Sequence, residues 1–204
     1  MRYDSARSMI FQAYHEQRGS VMVYASQIAE LGAQVQTTQR NNNDWRIVNG
    51  LEAGQVISAV ESQPMHLQAL VRYCFGPFTR DELAEDREWL HAALMHAGMQ
   101  MRLPGQGQSE YPTAEAARQL RWIASAAIHH HAETTYPYNR PGLHNPRRIA
   151  AWIEAEHGEE IDVRRWAAHG RTCWKGVWEK LLDTLDRWEC QALHPVAELL
   201  PKAA

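Results

Sequence analysis

The sequence predicts an all-α protein, a multi-helix array that ends in a helix-turn-helix-like three-helix unit. Apolar residues recur three and four positions apart along almost the whole chain, and no alternating run of useful length suggests a strand. Capping residues, glycines and prolines stand where that periodicity starts and stops.

Ser5 can cap a first helix running to about Gln17, with Met9, Ile10, Ala13 and Tyr14 on one face and Gly19 as its stop. Ser20 can begin a second helix carrying Val23, Ile28 and Leu31. The polar stretch GAQVQTTQRNNND reads as a loop. Asp44 then caps a helix from Trp45 to about Val60, in which Gly50 and Gly54 are weak points unless another helix packs closely there. Pro64 opens a helix lined by Leu67, Leu70, Val71 and Phe75, which FGPF ends. Thr79 and Glu82 match a capping box and begin an acidic helix that closes at Gly98. Its acids Asp81, Glu82, Glu85, Asp86 and Glu88 are expected to face solvent, and a docking surface for a basic partner is the functional alternative.

The segment MRLPGQGQSEYPT contains the clearest linker. It divides an N-terminal helical region, 1–103, from a C-terminal one, 113–204, across residues 104–112, and the two could still pack as a single domain. Thr113 and Ala114 open an Ala-rich helix to about Ala132, and the prolines of TTYPYNRPGLHNPRR then favour an extended path. Helices from Arg147 to Glu156, Asp162 to Ala168 and Thr172 to about Leu193 complete the chain, the last three forming the unit at about 147–193.

That unit carries the functional signal. From Val163 to Lys175 the charged residues are Arg164, Arg165, Arg171 and Lys175, with no acid among them, in a chain of net charge −3. Gly170 can supply a turn and Thr172 can cap the long helix, whose first turn then presents Thr172, Trp174 and Lys175. Helix dipole and free N–H groups favour a phosphate there. Trp174 could wedge against a base, stack on Arg171 or simply cover the core. Arg147 and Arg148 form a second basic pair at the preceding helix start. The same cations could instead form a solvated surface balancing Glu154, Glu156, Glu159 and Glu160. The usual helix-turn-helix pattern is also imperfect, since Trp166 stands where a small residue is normal.

Bulk properties exclude other classes. A pI near 6.4 argues against coating nucleic acid by overall charge, so any contact with double-stranded DNA must be local. Cys74, Cys173 and Cys190 are odd in number and without a CxxC pair, which points to neither disulfides nor a zinc site. No apolar run is long enough for a membrane span, and a cytoplasmic location is expected. His129 and Glu133 are four apart on a helix, with His144 as the nearest third ligand, but a polar helix end explains the histidine run without metal. No GxxxxGK[ST], GxSxG or HExxH is present, so no enzyme, cofactor, metal or small-molecule substrate is expected.

The segments NPRRIAAWIEAEHG and IDVRRWAAHGRTCWKGVWEKLLDTLDRWE resemble the Q-type phage antitermination factors, in particular AlpA-type activators of lysis cassettes. The zinc-binding cysteine cluster of some Q proteins is absent. The resemblance implies a transcription antitermination factor that binds promoter-proximal DNA, joins paused RNA polymerase and suppresses termination. Arg164, Arg165, Arg171, Thr172 and Lys175 would anchor the DNA, and Asp81 to Leu94 or the N-terminal helices would touch polymerase or sigma factor. A conventional helix-turn-helix regulator and a phage protein that inhibits a host protein are the alternatives.

Overall fold

The computed structural model describes residues 5–31, 44–135, 138–164, 166–167 and 172–200, with the backbone alone for 19–31 and 44–48. Among these residues the protein is all-α, with seven helices and no strand. They are α1 (Ala6–Leu31), α2 (Asp44–Glu61), α3 (Met65–Phe75), α4 (Ala84–Met99), α5 (Ala114–Thr134), α6 (Pro146–His157) and α7 (Trp174–Ala197). None of these helices is long and apolar enough to cross a membrane.

The longest apolar stripe organises the array. In α7, Val177, Trp178, Leu181, Leu185, Ala192 and Val196 are buried at spacings of one, three, four and seven residues. This face meets α1, α2, α3, α4 and α5. The second half of α5 is buried on most sides, and its alanines at 124, 126, 127 and 132 permit close approach. Gly98 of α4 serves the same purpose, because a Cβ there would lie 3.0 Å from the Leu120 side chain. At Gly50 and Gly54 no described residue lies within 4 Å of an added Cβ.

Local signals act largely as the chemistry predicts. The Ser5 hydroxyl accepts from Ser8 N–H at 3.2 Å, and Thr113 Oγ1 accepts from Ala116 N–H at 3.2 Å. Thr79 N–H donates to Glu82 Oε2 at 2.7 Å, but the capping residues close a turn and α4 starts only at Ala84. Gly19 and Ser20 lie inside α1, which is one helix where the sequence suggested two. Gly costs only about 1 kcal/mol in a helix interior, less than burial of a good apolar face contributes.

The sequence-predicted linker at 104–112 is an ordered loop. Gly105 and Gly107 take φ of 82° and 63°, and Gln106 Oε1 accepts from Leu103 N–H at 2.9 Å. Its Nε2 donates to the Ser109 and Glu110 carbonyls at 3.0 and 2.9 Å. Helices on either side of the loop share one core, which includes Ile10, Val71, Leu94, Ile123 and Leu185.

Two buried ionic groups tie helices together. Glu189 of α7 pairs with Arg7 of α1, and its other oxygen lies 3.0 Å from His131 Nε2. Burial pushes the Glu189 carboxyl up, but His131 and Arg7 outweigh it and hold the group below its ordinary value. Asp86 pairs with Arg72 of α3 and is buried. Burial raises its pKa, and the arginine offsets this only in part.

The C-terminal unit needs correction. The expected helix over Asp162–Ala168 is absent from its described residues, where 161–163 are irregular and 164, 166 and 167 form a turn. Backbone groups there take tertiary partners instead: Gln119 Nε2 donates to the Asp162 carbonyl at 3.1 Å, and Trp166 O accepts from Lys175 N–H at 2.9 Å. The backbones of α6 and α7 do not approach each other closely, and α5 is the one described helix whose backbone lies close to α6. Among its described residues the C-terminal unit therefore has α6 and α7 without the expected helix between them.

Candidate functional site

The sequence-predicted cations that are described, Arg147, Arg148, Arg164 and Lys175, lie at two helix starts and on the turn before α7. At α6, Asn145 Oδ1 accepts from Arg147 N–H at 2.8 Å, and Pro146 occupies a first-turn position that needs no N–H donor. Arg147 and Arg148 are exposed, and the first turn holds no acid. At α7 the cap position belongs to Cys173 rather than Thr172, with no side-chain cap bond. Thr172 and Lys175 are exposed, the first turn again lacks acids, and Lys175 Nζ lies 3.6 Å from Glu179 Oε1.

Arg164 stands on the turn, where Asp162 Oδ1 accepts its N–H at 2.9 Å. The bond from Lys175 N–H to Trp166 O holds this turn against the first turn of α7, so Arg164 and Lys175 belong to one neighbourhood. Trp174 does not belong to the exposed edge. It is buried in the core, so its ring is not offered to a base. Arg165, Gly170 and Arg171 lie outside the described residues.

His130 links the two helix starts. Its Nδ1 accepts from Leu143 N–H at 2.7 Å, and its ring centroid is 5.2 Å from His144 and 5.4 Å from Trp178. Gly142 permits this approach, because a Cβ there would come within 2.5 Å of His130 Nδ1. Burial, with help from the neighbouring histidines His144, His131 and His129, pulls His130 down to about 4. The neutral ring therefore accepts at Nδ1.

His129, Glu133 and His144 also have structural partners. His129 stacks on Trp152 at 4.6 Å, Glu133 pairs with Arg140 at 3.5 Å, and His144 stands by His130. Among the described residues no group of three or more His, Cys, Asp or Glu side chains could hold a metal ion.

The acidic surface is smaller than expected. Asp81 and Glu85 are exposed, but Glu82 bonds Arg18 at 2.7 Å as well as Thr79. Asp86 is buried against Arg72, which corrects its expected exposure.

Sequence reasoning missed a cavity of about 610 Å³ bounded by α3, α4, α5, α6 and residues 138–140. Within it Ser125 Oγ lies 3.0 Å from His157 Nε2, and His91 Nε2 donates to the Arg121 carbonyl at 2.8 Å. His91, Ser125, His129 and His157 come from three helices. The only sequence signal was the abundance of histidine, and the run at 129–131 drew it to one helix end.

The described residues thus form an all-α array with exposed cations at two helix starts and a separate cavity lined by histidines, arginines and aromatic rings. Comparison with protein families, with curated proteins and with solved structures finds no match.

Proposed function

We propose that this protein binds duplex DNA through the edge carrying Arg147, Arg148, Arg164, Thr172 and Lys175 and regulates transcription from the cytoplasm. The observation that carries the reading is the pair Arg147 and Arg148, exposed on a capped helix start without acids. Planar guanidiniums suit bidentate phosphate or guanine contacts, and the helix terminus adds N–H groups of the same polarity. Lys175 contributes less because Glu179 shares its charge. An antitermination factor acting on promoter-proximal paused RNA polymerase is the specific form of this reading, with Asp81 and Glu85 as the acids free to meet polymerase or sigma factor.

The test is duplex binding at fixed, moderate salt by wild type and by the Arg147→Ala, Arg148→Ala double variant. A drop of about tenfold in affinity is expected, and a salt dependence shallower by about 0.9 in log–log slope for each phosphate that is no longer neutralised. Unchanged affinity removes this edge from DNA binding. Nuclease-treated capture from host lysate should then recover RNA polymerase. A protein-interaction module would show no salt-dependent DNA binding at all.

A further inference from the structure

We infer that the cavity between α4, α5 and α6 binds a small aromatic anion of nucleoside monophosphate size. Its volume of about 610 Å³ lies within the range of small-molecule sites, roughly 300–1,000 Å³. The site goes beyond the DNA edge and does not depend on it.

Charge selects the sign of the ligand. Four guanidiniums line the cavity, and two are neutralised, Arg80 by Glu156 and Arg140 by Glu133. The guanidiniums of Arg87 and Arg121 have no carboxylate or hydrogen-bond partner among the described residues. One lining acid without such a partner, Glu88, stands against them. An entering phosphate or carboxylate would meet two cations without an anionic partner among the described residues, and charge-assisted hydrogen bonds of this kind are the stronger ones.

Ring chemistry selects the rest. His157 packs against Trp122 at 4.8 Å and Trp152 at 5.5 Å, and Arg121 lies over the Trp122 ring at 4.9 Å. These flat groups and the nearby Tyr73 and Tyr138 suit a planar ligand better than an aliphatic one. Burial lowers the pKa of His91, His129 and His157, so the imidazoles are neutral and offer hydrogen bonds without adding charge. With Nε2 of His91 donating to Arg121 O, its Nδ1 is an acceptor, which suits the N–H groups of a nucleobase.

The experiment titrates AMP, GMP, CMP and UMP separately into the full chain and reads heat and tryptophan fluorescence. At least one should bind saturably at one site per chain and change the indole emission. The matching nucleoside and inorganic phosphate should each bind at least about tenfold more weakly, because each lacks one half of the recognised chemistry. The Arg87→Ala, Arg121→Ala double variant, checked for an unchanged thermal midpoint, should lose about tenfold in affinity. Arg147→Ala with Arg148→Ala should bind the nucleotide as wild type does, so failure at the DNA edge and failure here are separable. Absence of saturable binding by all four, equal binding of nucleoside or phosphate, or an unaffected double variant each overturns the proposal.

Discussion

Both α6 and α7 start with exposed cations and no acid in the first turn, yet the backbone of α7 lies close to five other described helices and that of α6 to α5 alone. Their buried residues account for the difference. To the described hydrophobic core α7 contributes seven buried positions and α6 two, Ile149 and Ile153. Charge at a helix start therefore says where an anion could land, and says nothing about how firmly the helix is held. The hold comes from apolar area removed from water, about 25 cal/mol for each Å². A helix fixed on one side, by Ile149, Ile153 and the half-buried Trp152, should open at lower free energy than the rest of the array.

Breaking the better-held helix should have the largest effect. Leu181→Ala leaves a cavity in a fully buried site and should cost about 3 kcal/mol. Urea unfolding followed by far-UV circular dichroism should show one shifted transition for the whole molecule, and a loss under about 1 kcal/mol would count against α7 as the organising helix.

Next comes Gly142→Ala, whose new methyl would meet His130 Nδ1 at 2.5 Å and Thr134 Cγ2 at 2.6 Å. Neither is the far end of a flexible side chain, so about 2 kcal/mol should be lost. Amide exchange should show weakened protection in α6 and around residue 143 first. Uniform loss across all helices would contradict the separate standing of α6.

Asn145→Ala removes the α6 cap and should cost about 1 kcal/mol, again concentrated in α6 exchange rates. An Asn145→Ser variant should recover most of that loss. If serine performs no better than alanine, the cap bond is not what holds this helix start.

The pH response of the link between the two helix starts is a separate test, outside the order of the substitutions. His130 binds its proton less readily when folded, at about 4, than at the ordinary 6.5. Unfolded chains take up that proton first as pH falls. Stability from this group is therefore complete above about 6.5, declines between about 6.5 and 4, and levels off below. Thermal midpoints at pH 7 and pH 5 should differ less for His130→Asn than for wild type, and equal differences would remove His130 as a contributor.

Much of the fold was readable because helix signals are local. The start of α5 at Ala114 follows from Thr113, α6 begins one residue before the expected Arg147, and the α7 stripe follows from its own spacing. The failures arose where a distant group decides. Asp86 looks like one of five acids on a wet helix face, and only the fold brings Arg72 against it. The segment after Asp162 has helical composition, but Gln119 and Lys175 claim its carbonyls. Trp174 stands beside basic residues in sequence and points into the core in space. The cavity was least visible, since no short spacing relates His91, Ser125 and His157.

The ordered loop at 104–112 has a practical consequence. It is largely exposed, and its glycines at 105 and 107 carry the backbone through left-handed conformations, while the helices before and after it complete one another's core. A single cut at that loop would yield two halves with unfinished apolar faces, each needing the other to fold. The protein is thus suited to fragment complementation: two pieces fused to separate proteins would regain structure only when those proteins meet.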